Sequence, residues 1–345
     1  MAGARTPSRQ ATDSALGDGA NIVSGTGPPP RPPADTDTGR DMALPTRVKI
    51  VEVSPRDGLQ NEKEFVPTDI KVELIDRLAA AGFPNVEAAS FVSPKWVPQM
   101  ADGLAVMQAI SRTPGIVYSA LTPNMKGYAS ARQAAMDEVV IFGAASEAFS
   151  QKNINCSISE SLERFREVAQ SAAQDGIRLR GSISCCLGCP YEGDVAPAQV
   201  LEVVDRMSDL GCIEIDIADT IGVGTADQVK KVFDVLLRRY PASRFSGHFH
   251  DTYGQAIANI VAAMESGIAI FHGSVAGLGG CPYARGASGN VATEDIVYLM
   301  QRMGIETGVD LTRLAQAGAE ISRVLGRASQ SKAGTAWLAK QAAAQ

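Results

Sequence analysis

His248 and His250 stand two residues apart, with Phe249 between them and Asp251 following, in a chain that holds only three histidines. The run leading into them, 244–250, reads as a β-strand, and side chains at i and i+2 of a strand point to the same face. Both imidazoles therefore aim at one spot, and neutral imidazole is a common ligand for divalent metals. The plain alternative is a pair of polar residues at a strand end, satisfied by neighbouring backbone groups. Further candidates are Arg56-Asp57 followed by Gln60-Asn61-Glu62, Glu87 in an otherwise small and apolar run, Asp216 and Asp219, and Ser288-Gly289-Asn290. Each has an ordinary structural explanation. Arg56 and Glu87 could form an ion pair, Asp57 and Asp219 could be turn or helix-cap residues, and Asn290 could cap a helix beginning near Val291. Taken together, an Asp, two His and an Asn or Glu would offer mixed nitrogen and oxygen donors. Such a set suits octahedral Mg²⁺ or Mn²⁺ better than thiolate-bound zinc.

Cysteine is the other candidate actor. Gly-Cys-Pro-Tyr occurs twice, around Cys189 and around Cys281. Cys186 and Cys189 make a C-x-x-C, but no second pair completes a structural zinc site. Cys281 is the better chemical candidate, because its glycine-rich loop can move over a pocket and a thiol can act as general acid or base.

These residues need elements to position them. Short β-branched runs at 48–53, 85–91, 116–121, 138–142, 178–185, 212–217, 244–250 and 269–275 alternate with amphipathic helical stretches. One such stretch carries Ile70, Leu74, Ile75 and Leu78, with Thr68 or Asp69 as expected cap and an end at Ala81-Gly82. Eight strands alternating with helices imply parallel pairing through right-handed crossovers, and eight units in about 250 residues close a (β/α)₈ barrel. A doubly wound open sheet would usually place a glycine-rich phosphate turn after its first strand. Ser54-Pro55-Arg56-Asp57-Gly58 lacks that pattern. A further helical stretch, 311–325, lies outside the eight repeats. The polar candidates all fall at the C-terminal ends of strands, where a barrel carries its chemistry.

The 345 residues divide by composition into a Pro/Gly-rich tail expected to be disordered (1–44), a barrel domain with its added helices (45–330) and a C-terminal tail (331–345). The first segment is too poor in apolar residues to offset its ordering entropy. Its four Arg beyond Met1 are outnumbered by five Asp, so a mitochondrial import signal is not expected there. A net charge of −6 argues against nucleic acid or an anionic membrane as partner, and no apolar run approaches the roughly 20 residues that span a bilayer. Six cysteines without a paired framework point to a reducing compartment.

The segments 51–62, 90–100, 248–255 and 277–295, the last with its Gly-Gly-Cys-Pro-Tyr-Ala loop, strongly resemble the 3-hydroxy-3-methylglutaryl-CoA lyase family. The resemblance runs from about residue 48 to 332. It implies a (β/α)₈ metallolyase that cleaves (S)-3-hydroxy-3-methylglutaryl-CoA to acetyl-CoA and acetoacetate in leucine breakdown. Carried over by position, Asp57, His248, His250 and Asn290 are the expected ligands of Mg²⁺ or Mn²⁺. Arg56 is expected to stabilise the enolate oxygen, with Glu87 and Asp219 in the catalytic polar network and Cys281 as the loop thiol that protonates the enolate. Arg56, Gln60 and Ser90 are the expected substrate contacts, and His248 or Asp57 the acceptor of the hydroxyl proton. The chain departs from the family at His272 and Asp216, and the alternation of Glu214 with Asp216 makes one face of its strand unusually acidic. No cysteine near the C-terminus suggests an intersubunit disulfide. The resemblance further implies an acyl-CoA partner and a homodimer or higher homo-oligomer. The tail composition fits a bacterial cytoplasmic enzyme.

Three other functions compete. A lyase of the same build could take a bulkier 3-hydroxy-3-alkylglutaryl-CoA, such as the isohexenyl substrate. A forward Claisen-type synthase would usually carry a further C-terminal region and lacks the Gly-Gly-Cys-Pro-Tyr loop. A non-enzymatic barrel would be expected to have lost part of the ligand set.

Overall fold

The computed structural model describes residues 43–62, 64–280 and 289–344. Eight strands, β1 (Lys49–Glu52), β2 (Asn85–Ser90), β3 (Val117–Leu121), β4 (Glu138–Ala144), β5 (Arg178–Ser184), β6 (Glu214–Asp219), β7 (Phe245–Phe249) and β8 (Ile270–Gly273), form a closed parallel barrel in sequence order. The eight expected strands are thus present, with ends shifted by a residue or two. β1 closes on β8 with Val51 opposite His272, and β8 pairs with β7 with His272 opposite His248. Residues from both ends of the sequence therefore meet at one seam.

Helices cover the barrel because one stripe of each is apolar. In Thr68–Ala80 Leu74, Ile75, Leu78 and Ala79 are buried, with Lys71 beside them, and in Pro197–Asp209 the buried side chains are Val200, Val203, Val204 and Met207. Both sets follow helical spacing. The first of these helices is capped differently from expectation: Pro67 holds the cap position, and Thr68 Oγ1 instead donates to Asp102 Oδ2 at 2.8 Å. Asp69, the other expected cap, accepts the first-turn amide of Ile70 through Oδ1 at 3.0 Å.

Beyond the eighth repeat the helix Leu311–Val324 packs on the barrel, close to the stretch anticipated. The segment 331–345, expected as a tail, instead contains a helix, Lys332–Ala342. Ser331 Oγ caps it by accepting from the Gly334 amide, and Trp337 Nε1 donates to Thr312 Oγ1 at 3.1 Å. No helix among the described residues is long and apolar enough to cross a membrane.

The barrel interior is charged rather than packed only with aliphatic layers. Arg180 is the largest fully buried side chain, and it lies among Glu87, Glu138 and Asp216. Pairing and hydrogen bonding make such burial tolerable.

Candidate metal centre at the C-terminal end of the barrel

β1 runs directly into a wide helical turn, Ser54–Gly58. The Val53 carbonyl accepts the amides of Arg56, Asp57 and Gly58 at 3.2, 2.8 and 3.2 Å, which winds the chain tightly over the strand end. A Cβ on Gly58 would lie 2.6 Å from Ser274 Oγ and 2.9 Å from Leu278 Cβ. Only glycine lets this turn press against the chain that leaves β8. Asp57 is thereby held beside β7, where His248 and His250 enter the same space with ring centroids 5.3 Å apart.

One ligand atom from each of Asp57, His248 and His250 lies within 4.8 Å of the others. Asn290 joins them by an isolated bridge to His250, and its Nδ2 donates to Asp57 Oδ2 at 2.7 Å. The alternative role of Asn290 as a helix cap is not taken up: the helix Thr293–Arg302 starts after Ala292, with no side-chain cap. Structure thus brings together the four residues expected as ligands. Among the described residues, His250 Nδ1 is buried without a hydrogen-bond partner. An orphaned buried imidazole nitrogen is costly unless something else occupies it. The donor chemistry fits a divalent cation.

Electrostatics agree with that fit. Burial alone would raise the Asp57 carboxyl, but the Arg56 guanidinium, with the two imidazoles and the Asn290 amide, holds it well below the usual carboxylate range. Burial, followed by the neighbouring rings and Arg56, pushes His248 well below its ordinary value against the pull of Asp57. His250 is pushed down as well, by burial first and Arg56 second. A neutral imidazole pair beside a carboxylate is the protonation state a cation requires.

Arg56 is fixed from two sides. Its Nε donates to Glu87 Oε1 and its Nη1 to Asp57 Oδ1, the latter at 2.8 Å. Glu87 in turn accepts from Arg180 Nη2. Burial would raise Glu87, yet Arg56 and Arg180 outweigh it and bring it to about 2. The β2–β3 register shifts between Glu87 and Ala89, so Ser90 comes opposite Leu121 and faces the interior with Glu87. Ser90 Oγ and Gln60 Oε1 are both buried without partners among the described residues. Gln60 also lines a cavity of about 320 Å³ with Asn61, Phe65 and Trp96.

Asp219 lies at the end of β6 but turns to its own loop. Its carboxylate accepts the amides of Val223 at 3.1 Å and Gly224 at 2.8 Å, and no side chain of the ligand group pairs with it among the described residues. Burial raises its carboxyl to about 6 despite those amides. Cys281 lies outside the described residues. Its loop is described as far as Gly280, whose carbonyl accepts from Asn61 Nδ2 at 3.0 Å. Cys186 and Cys189 are buried; Ser146 Oγ donates to Cys189 Sγ at 2.9 Å, and burial pushes the Cys186 thiol far up.

Arg180 and Glu138 are hardly legible as interior residues from the sequence. The only signal was charge inside two runs read as strands, Arg178-Leu179-Arg180 and the Glu138 that opens β4. Those residues bind each other between the neighbouring strands β4 and β5, Arg180 Nε donating to Glu138 Oε1 at 3.0 Å.

A family model described as HMGL-like matches residues 47–321. The chain belongs to this family. Bovine mitochondrial hydroxymethylglutaryl-CoA lyase is 56% identical over 289 residues, 84% of this chain and 89% of that protein. A Pseudomonas aeruginosa protein named 3-hydroxy-3-isohexenylglutaryl-CoA/hydroxy-methylglutaryl-CoA lyase is 54% identical over 299 residues, 87% of this chain and 100% of its own. Among solved structures, the P. aeruginosa hydroxymethylglutaryl-CoA lyase superposes with a TM-score of 0.85, covering 86% of this chain and 99% of that one at 54% identity. A lyase of the family from Acinetobacter baumannii, solved with coenzyme A and 3-methylmalate, gives 0.81 at 37% identity, covering 84% and 95%.

Proposed function

We propose that this chain is a divalent-metal-dependent hydroxymethylglutaryl-CoA lyase, cleaving (S)-3-hydroxy-3-methylglutaryl-CoA to acetyl-CoA and acetoacetate. The observation that carries the reading is the convergence of Asp57, His248, His250 and Asn290 beside Arg56. It is supported by 56% identity to a lyase of that name. Asp57, His248, His250 and Asn290 would hold Mg²⁺ or Mn²⁺, Asn290 through its Oδ1 once the amide turns from Asp57. When bound, the cation supplies Lewis-acid activation of the tertiary hydroxyl and orients a substrate carboxylate oxygen.

The chain's own residues do the rest. Asp57 or His248 takes the hydroxyl proton. The C2–C3 bond then breaks, the hydroxyl carbon becomes the ketone of acetoacetate, and the electron pair passes into the thioester. Arg56, held in place by Glu87 and Asp57, meets the charge developing on the enolate oxygen. The Cys281 thiol delivers a proton to the enolate carbon, completing the methyl group of acetyl-CoA. Gln60 Oε1 and Ser90 Oγ supply unpaired polar atoms for the bound acyl group. Asp219 acts through the loop that it pins. Action as a homo-oligomer in the cytoplasm, within leucine breakdown, belongs to the same reading.

The experiment is acetoacetate release from the substrate with Mg²⁺ or Mn²⁺, repeated with chelator. Metal-dependent release is expected; its absence would sink the proposal. A second reading, a lyase that also takes the isohexenyl substrate, is favoured by the 54% identity to the dual-named P. aeruginosa protein. Comparing kcat/KM for the two thioesters separates them.

A further inference from the structure

On β5 and β6 the inward-facing residues include a polar pair that the reaction above leaves unused. Ile215 and Ile217 pack into the core under the helices, so Asp216 between them faces the barrel interior. Ser182 faces the same space from β5, opposite Asp216 in the register. Its Oγ donates to Asp216 Oδ1 at 2.8 Å, and Asp216 Oδ2 accepts from Arg180 Nη1 at 3.2 Å. The carboxylate is thus held from two sides.

Ser182 differs from its neighbours in being only half-buried. Gly181 and Ile183 on either side are buried, as is Arg180 two residues earlier on the inner face. Ile183 belongs to the core under the helices, so the exposed part of Ser182 looks into the open, C-terminal half of the barrel. Its proton is committed to Asp216, so what it turns toward that space is an acceptor, and no donor meets it among the described residues. The pair also stands next to the proposed cation site: an Asp216 oxygen lies within 4.8 Å of a His248 ring nitrogen. Spacing alone would let Asp216, His248 and His272 hold an ion of their own. The Arg180 guanidinium, 3.2 Å from Asp216 Oδ2 and 3.4 Å from His272 Nε2, already supplies positive charge there.

We infer that Ser182 and Asp216 are specificity-determining residues, a polar wall that admits a small substituent on the hydroxyl-bearing carbon and rejects an extended hydrocarbon chain. The inference rests on the lyase reading given above and decides between its two substrates. Of the four groups on that carbon, the hydroxyl and the carboxylate arm engage the cation site, and the thioester arm runs past Arg56 to the barrel mouth. The fourth group is left to face Ser182 and Asp216. A methyl group leaves room for water on the Ser182 oxygen. An isohexenyl chain has neither donor nor acceptor, so lying against the pair it would strip the hydroxyl and the carboxylate edge of water and return no hydrogen bond. Selectivity of this kind comes from a penalty on the wrong ligand rather than from added contacts to the right one.

The test is kcat/KM of the metal-loaded enzyme for the methyl and isohexenyl thioesters, in wild type and two variants. Wild type should favour the methyl substrate by at least about tenfold. Ser182→Ala removes the hydroxyl and frees its volume, and should move the ratio toward the isohexenyl substrate on the order of tenfold. Ser182→Thr keeps the bond to Asp216 and adds a methyl group in the same space, so the ratio should move the other way. A ratio near one in wild type, or variants that change both substrates by the same factor, would overturn the inference and leave the lyase reading intact. Wild-type enzyme that cleaved neither thioester would overturn both. The wild-type ratio needs no variant, so a Ser182→Ala protein that failed to fold would leave the test standing.

Discussion

Arg56 shows how much a single residue depends on what grips it. Its guanidinium sits between Glu87 and Asp57, so its planar fork is preorganised before any substrate arrives. Arg56→Lys keeps the charge and loses the fork. It should lower kcat on the order of 10²–10³-fold, as removal of one preorganised oxyanion donor does, while KM and Mn²⁺ affinity change little. Steady-state kinetics beside an EPR titration measure both; a proportionate rise in KM with kcat intact would place Arg56 in ground-state binding instead. Arg56 and Asp57 were visible in the sequence because they sit in a distinctive word after a strand. Arg180 was not. An arginine third in a strand ordinarily reads as a rim residue, and only closure of the barrel turns that face inward onto Glu87, Glu138 and Asp216.

The element that roots the glycine-rich loop is the short turn Val275–Gly277 after β8, and two buried carboxylates hold it. Glu52 accepts the amides of Ser54 and Val275 and the hydroxyl of Thr293, at 2.9, 3.0 and 2.7 Å. Glu294 accepts the amide of Ala276, a residue with a left-handed φ of 57°, at 3.0 Å. A Cβ on Gly318 would collide with Glu294, so the neighbouring helix closes over it. Burial raises Glu52 to about 7 and Glu294 to about 8, the nearby charges of Glu52 and Asp295 adding to the latter. A folded-state pKa above the unfolded 4.5 means that the folded chain keeps a proton the unfolded chain has released. The contribution is fully favourable below about pH 4.5 and is lost as pH rises toward 8. Glu294→Gln keeps an acceptor for Ala276 and removes that loss. The stability of the variant relative to wild type should therefore climb between pH 5 and 8, by up to about 1.4 kcal/mol per pH unit, and level off above. Denaturant unfolding at several pH values measures it; a pH-independent difference would show that Glu294 ionises in both states alike. The strands themselves were legible, since alternating β-branched runs and amphipathic helices carry their periods in the sequence. The turn's dependence on Glu52 and Glu294 was not, because their partners lie 223 and 18 residues away along the chain.

At the scale of the whole molecule, the barrel alone is not the folded unit. The helix Lys332–Ala342 lies where composition suggested a tail, and its attachments reach back toward the site. Asp295 accepts Ser331 Oγ at 2.8 Å and the Ala333 amide at 2.7 Å, tying the final segment to the helix that follows Asn290. The Gln330 amide donates to Ala276 O at 3.0 Å, on the very turn that leads into the glycine-rich loop. Small, alanine-rich composition hides this role, because Trp337 and Gln341 bond to Thr312 through single polar atoms rather than a hydrophobic stripe. A chain ending at Ser329 loses both the packing of Trp337 and the bond to Ala276. Burying one large aromatic and its neighbours contributes about 3 kcal/mol, which at about 2–4 °C per kcal/mol lowers the melting temperature by roughly 6–12 °C. Because the cut also frees one side of the loop's root, kcat should fall further than Mn²⁺ affinity when both are measured well below the new melting temperature. Trp337→Ala separates the two effects: it removes the packing but keeps the Gln330 amide, so it should melt early yet retain kcat. A truncated chain with full kcat would show that the final helix stabilises the barrel without steadying the loop.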